Sequence, residues 1–185
     1  MYTIFLDGKG KGVRATGLGY SQFVETFDTI CQEHVRDKRA RAFAFVFYDM
    51  NHGHVRSALK SARGFEILNA EAGKDITLFY LHAAATQLHA NTFNLHFMQA
   101  LGVADQIALP CIVFFRVNGD EIGDINFTCI DDQADDRHLI VEAMRRDIAE
   151  YTTSINAEGD LAPLTKVAGW LSKTAFNLAL KHIFF

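Results

Sequence analysis

Ala108-Leu109-Pro110-Cys111-Ile112-Val113-Phe114-Phe115 decides how this chain is read. A proline stands directly before a wholly apolar run rich in β-branched and aromatic residues, the composition of a buried strand. Proline has no N–H to give to a ladder, so it fits the first residue of a strand and not its interior. The chain contains only 2 prolines, and one of them marks this strand entry. The run predicts a strand over 111–117. Asn118-Gly119-Asp120 follows as a tight-turn signal, and 121–129 returns as the hairpin partner.

Working outward, two more apolar segments read as strands. Residues 42–48, Ala-Phe-Ala-Phe-Val-Phe-Tyr, are apolar on both faces, as in a strand covered on both sides. Residues 76–81, Ile-Thr-Leu-Phe-Tyr-Leu, read the same way. Residues 2–6 predict a short strand, with Val13–Thr16 as a possible return across a glycine-rich turn. Helical spacing of apolar residues predicts helices over 21–37 (Ser21 as N-cap, then Phe23, Phe27 and Ile30), 91–101 (Phe93, Phe97, Leu101) and 132–155 (Ile140, Met144, Ile148, Tyr151, Ile155). A short helix over 54–63 is expected to stop at Gly64, with 66–75 a polar connection. Gly102 is expected to end the helix at 91–101. Beyond a linker at 156–163, the spacing of Leu164, Val167, Leu171, Ala175 and Leu178 predicts a last amphipathic helix over 163–183. Trp170 and Phe176 lie outside its narrow stripe, and the chain closes on Ile183-Phe184-Phe185.

Length and composition fit one domain with an added element; the α/β class rests on the order of elements. The 185 residues are 49% hydrophobic and 22% charged, with 16 Phe, which points to an aromatic core large enough to need no disulfide or metal. The net charge of -4 gives no basic stripe for nucleic acid. The local cluster Arg36, Lys38, Arg39 and Arg41 reads as a solvated helix end, with a small-anion contact as the alternative. Cys31, Cys111 and Cys129 are scattered and odd in number, and Met1–Asp7 has no secretory pattern, so reduced thiols and a cytoplasmic location are expected. No run approaches the ~18 apolar residues of a membrane span. Gly8-Lys9-Gly10-Lys11-Gly12 departs from the phosphate-loop pattern, and neither G-x-S-x-G nor H-E-x-x-H occurs. No cofactor is expected.

The order strand, helix, strand, helix, strand, helix, Pro-led strand, hairpin partner and helix resembles the thioredoxin-like fold. The resemblance covers residues 1–155 and leaves 156–185 as an added linker and helix. It rests on element order, the Leu109-Pro110 step and the Asn118-Gly119-Asp120 hairpin. It implies a three-layer αβα arrangement around a mixed sheet and a cis Leu109–Pro110 bond. In redox members a C-x-x-C opens the helix after the first central strand, where the helix N-terminus favours the thiolate. Here that stretch is Asn51-His52-Gly53-His54-Val55, with His52 at the first cysteine position and Val55 at the second. The site has no dithiol, so ordinary thioredoxin activity is not expected.

Several residues near this position bear on chemistry. His52 and His54 follow one central strand and His82 ends the next. If the strands are parallel neighbours, as the resemblance implies, their ends are ~5 Å apart. With Asp49, the three imidazoles make a candidate zinc site; the alternative is a polar helix entry. His89 and His96 read as ordinary helix histidines. Cys111, beside Pro110 and near His52, is a candidate nucleophile, or simply a small buried hydrophobe. Cys31 and Cys129 read as core residues.

The leading expectation is a redox-inactive interaction or adaptor module. Its candidate surfaces are a groove of Asp49, Asn51, His52, His54, Leu109 and Pro110, and the last helix through Trp170, Phe176, Phe184 and Phe185. The occupant would be a protein partner or a second copy of the chain. The alternatives are a metal-binding protein or enzyme using His52, His54 and His82, and single-cysteine thiol chemistry at Cys111.

Overall fold

The computed structural model describes residues 2–5, 29, 32–33, 36, 42–49, 53–61, 63–82, 87–118, 121–130, 137–157 and 165–172. In chain order the elements are β1 (Tyr2–Phe5), β2 (Ala42–Phe47), α1 (Gly53–Ser61), α2 (Gly64–Ala72), β3 (Ile76–His82), α3 (Gln87–Ala100), β4 (Cys111–Asn118), β5 (Glu121–Cys129), α4 (Arg137–Ala157) and β6 (Thr165–Ser172). Thr29, Gln32, Glu33 and Arg36 also have helical backbone and exposed side chains. The expected return strand at 13–16 and the glycine-rich turn before it lie outside the described residues.

The strands form one mixed sheet in the order β1-β3-β2-β4-β5-β6. β3 is parallel to both β1 and β2. β4 runs antiparallel to β2, β5 to β4, and β6 to β5. The three apolar runs are therefore neighbours, and the Pro-led one is reversed.

β2 lies centrally because none of its side chains needs water. Every residue from Ala42 to Tyr48 is buried, as a strand covered on both faces requires. Alternation puts Phe43, Phe45 and Phe47 on one face, level with Phe115, Val113 and Cys111 of β4. Phe45 lies 4.9 Å from Phe79 of β3 and 4.2 Å from Phe97 of α3, centroid to centroid. Aromatic pairs of this kind add about 0.5–1.5 kcal/mol each beyond area burial. The phenylalanine-rich composition is thus used to fasten α3 to one face. Phe114 points to the other face and stacks on Tyr151 of α4 at 4.3 Å. Phe65 of α2 stacks on Tyr80 of β3 on that same side, at 3.7 Å. α3 thus contacts one face of the central strands, and α2 and α4 the other.

Two expected elements differ. The segment expected to be a polar connection over 66–75 overlaps most of α2, because Gly64, Leu68 and Ala72 recur at helical spacing and are buried. The turn into it is made by Arg63, at φ +56, not by Gly64. Gly64 serves a close approach instead: a Cβ there would meet the Ala58 carbonyl oxygen at 2.8 Å, Leu59 Cα at 2.9 Å and Val141 Cγ2 at 3.0 Å. Only glycine lets α2 seat against α1 and α4. At the end of α3, Gly102 has φ +73. Its N–H donates to Gln99 O at 2.9 Å and that of Val103 to Met98 O at 2.9 Å, a Schellman closure.

The larger correction concerns the chain's last segment. Residues 165–172, expected within a helix over 163–183, form strand β6 beside β5. Trp170 stands opposite Gly123 in this ladder and not on a helix. Thr165 and Val167 are β-branched and Gly169 weakens a helix interior. The open edge of β5 supplies a ladder, which outweighs the helical spacing. Phe176, Phe184 and Phe185 lie outside the described residues.

Candidate functional site

The register of β2 against β4 builds one edge of the sheet. Phe47 pairs with Cys111 in an antiparallel ladder, so the chain beyond β2 runs alongside the chain before β4. Tyr48 and Pro110 are buried there, while Asp49 and Leu109 are half-buried. α1 begins shortly after Asp49, with His54 exposed in its first turn. β3 is parallel to β2 with Val46 opposite Tyr80, so its last residue, His82, ends at the level of Tyr48. The fold thereby places Asp49, His54, His82, Leu109, Pro110 and Cys111 at one end of the strands. Asn51 and His52 lie outside the described residues. Among the described residues, no group of three or more His, Cys, Asp or Glu is placed to hold a metal ion. The Leu109–Pro110 peptide is cis.

Polar contacts fasten this edge. Asn94 of α3 is 1% exposed, and its Nδ2 donates to Tyr48 O at 2.9 Å, satisfying the carbonyl just past the end of β2. The clue in the sequence is an amide in line with Phe97 and Leu101 on the apolar side of α3, but the helix carries several other polar residues that keep Asn94 from standing out. On the other flank, Ile130 N donates to Pro110 O at 2.8 Å and Ala108 N donates to Cys129 Sγ at 3.4 Å. Burial, reinforced by neighbouring Tyr80 and opposed by Arg56, pushes the Tyr48 phenol well above its usual range, so this hydroxyl stays protonated.

Cys111 takes the place of a small buried hydrophobe, one of its two expected readings, while Cys129 departs from expectation and Cys31 lies outside the described residues. Cys111 is fully buried, and its burial, with the Cys129 sulfur acting in the same direction, pushes its thiol pKa well up. A protonated thiol is a poor first nucleophile. Cys129, expected in the core, is exposed. It stands directly opposite Cys111 across the β4–β5 ladder.

That pairing depends on a bulge. Near the hairpin end Asn118 faces Glu121, Val117 faces Ile122 and Arg116 faces Gly123. Continued without interruption, this register would set Cys111 opposite Thr128 and turn Cys129 to the other face. Beyond the bulge Phe114 faces Asn126 and Cys111 faces Cys129, because two β5 residues, Asp124 and Ile125, span one β4 residue, Phe115. Asp124 carries the bulge at φ +51. A turn signal alone gives the unbulged register, which is why sequence reasoning missed the pair.

Comparison with protein-family models, curated proteins and solved structures finds no match to this chain. The protein defined by these observations is a mixed α/β domain with helices on both sheet faces. No helix among its described residues is long and apolar enough to cross a membrane.

Proposed function

We propose that this chain is a thioredoxin-like domain of three-layer αβα form that binds a protein segment at the sheet edge made by Asp49, His54, Leu109 and Pro110. The observation carrying this reading is the reversal of β4 against β2, which brings Leu109–Pro110 beside Asp49 at the edge where α1 begins. The strand order and directions, with α3 on one face and α2 and α4 on the other, support the layering. The recognition reading draws on chemistry that differs across a short span. Leu109 offers a half-buried apolar contact, Asp49 a carboxylate and His54 an exposed imidazole. The stretch Asn51-His52-Gly53-His54-Val55 carries no cysteine, so the domain acts by binding rather than through a dithiol at the start of α1.

Site-specific photo-crosslinking in the full chain tests this proposal. A crosslinking residue at His54 and, separately, at Leu109 is expected to capture one and the same protein from extract. The same residue at Lys74, exposed at the opposite end of β3, is expected not to capture it. Unrelated adducts at the two edge positions, or equal capture at Lys74, would overturn the reading.

A further inference from the structure

We propose that Cys111 and Cys129 are a dithiol that closes reversibly into a cross-strand disulfide by exchange with a low-molecular-weight disulfide. The inference stands on the β4–β5 register and is independent of the binding reading above.

The ladder fixes the geometry. In antiparallel strands, pairs that exchange hydrogen bonds alternate with pairs that do not. Ile130 N donates to Pro110 O at 2.8 Å, so Pro110 and Ile130 form a hydrogen-bonded pair. Proline has no N–H for the return bond. The next pair inward, Cys111 and Cys129, is therefore a non-hydrogen-bonded pair. Such pairs hold their Cα atoms about 4.5 Å apart with side chains on one face and closest together. Disulfides need Cα separations of about 4.4–6.8 Å, so the strands need not move apart or change register. The Cys129 sulfur accepts the Ala108 N–H at 3.4 Å, which holds it over the entry to β4.

The two thiols differ in access, and this orders the steps. Cys129 is exposed while Cys111 is fully buried. The Cys129 thiolate attacks one sulfur of the small disulfide, forming a mixed disulfide and releasing one thiolate. The Cys111 sulfur then attacks the Cys129 sulfur as its own proton leaves. The Cys111–Cys129 bond forms, the mixed disulfide breaks, and the second small thiol departs. In total two protein thiols are oxidised and one small disulfide is reduced to two thiols. The reverse exchange with excess small thiol reopens the bond.

The test uses oxidised glutathione on the folded full chain carrying Cys31→Ser, which leaves two thiols. Intact mass and peptide mapping after acid quench are expected to show a Cys111–Cys129 link with no glutathione retained, and excess reduced glutathione is expected to restore both thiols. Adding Cys111→Ser is expected to stop the reaction at one glutathione on Cys129. Adding Cys129→Ser instead is expected to leave Cys111 unmodified. A lasting glutathione adduct on Cys129 with Cys111 still present would overturn the proposal, as would two thiols that stay free or a link that excess thiol does not reopen. Mapping the unsubstituted chain guards against a folding effect of Cys31→Ser. There a Cys111–Cys129 link supports the proposal, and a Cys31 link in its place overturns it.

Discussion

Asp124 holds a backbone conformation that side-chain-bearing residues rarely adopt, at φ +51. Aspartate tolerates it better than most residues, and local contacts secure it. Asp124 Oδ2 lies 3.1 Å from Arg116 Nε, and its backbone carbonyl accepts the Asn126 Nδ2 at 2.7 Å. This single residue decides which face Cys129 takes, since a one-residue slip turns every later side chain over. The antiparallel pairing of β4 with β5 was legible from the Asn118-Gly119-Asp120 signal, but the bulge was not. Gly123 inside a strand is a local hint of a bulge, but which residue is extra, and so which face Cys129 takes, is set only by the partner strand.

The same corner of the molecule sets an alkaline limit. Burial, with the Asp124 carboxylate adding to it and Arg116 opposing, raises the Tyr151 phenol from 10.0 to about 12. Between those values the unfolded chain has lost a proton that the folded chain keeps. The contribution is therefore fully present below about pH 10 and is lost as pH rises toward about 12. That separation corresponds to about 3 kcal/mol at most. Tyr48 moves in the same direction, so among the described residues the wild-type protein has two such groups. Urea midpoints measured across this window are expected to fall less steeply for Tyr151→Phe than for wild type. Parallel slopes would remove Tyr151 from this account.

At the scale of elements, what could be read depended on whether local pattern and tertiary demand agreed. β2, β3, β4 and β5 were legible because uninterrupted apolar or hairpin-flanked runs leave few alternatives. α2 was missed because Glu66, Asn69 and Glu71 make its segment look polar, although Leu68 and Ala72 are buried beneath them. β6 was misassigned because Val167 and Leu171 fit a helical stripe as well as an alternating strand. The open ladder of β5, invisible to a local reading, decides between them. Replacing Lys166 and Val167 together by proline tests β6, because both lie in the regular part of its ladder, opposite Asn126 and Ile125. Adjacent strand residues point their N–H groups to opposite sides, so one substitution must remove a bond to β5. Amide exchange is expected to speed up in β5 from Ile122 to Phe127, opposite β6, while α3 keeps its protection. Unchanged protection in β5 would mean that 165–172 does not pair there.

At the scale of the whole molecule, the sheet order joins the sequence to both proposals. Only with β4 reversed beside β2 do Asp49 and Pro110 share an edge, and only with β5 on its far side do the cysteines meet. The approximate neighbourhood of Asp49, His54, His82 and Pro110 was legible only from strand ends taken together with the strand directions that the resemblance implies. Asn94, the exposure of Cys129 and the cysteine pairing were not, because each depends on contacts between elements distant in the chain. The ladder also fixes which residues approach most closely. Because Cys111 is a non-hydrogen-bonded partner of Cys129, its N–H and C=O face β2, and the alternation then makes Val46–Ile112 and Ala44–Phe114 the close pairs across β2 and β4. Cross-strand Hα–Hα nuclear Overhauser contacts in the full chain measure this directly. The predicted result is Val46 to Ile112 and Ala44 to Phe114, together with Cys111 to Cys129. Contacts joining Ala44 to Ile112 and Val46 to Phe114, the pattern of an unreversed strand, would contradict the sheet and everything placed at its edge.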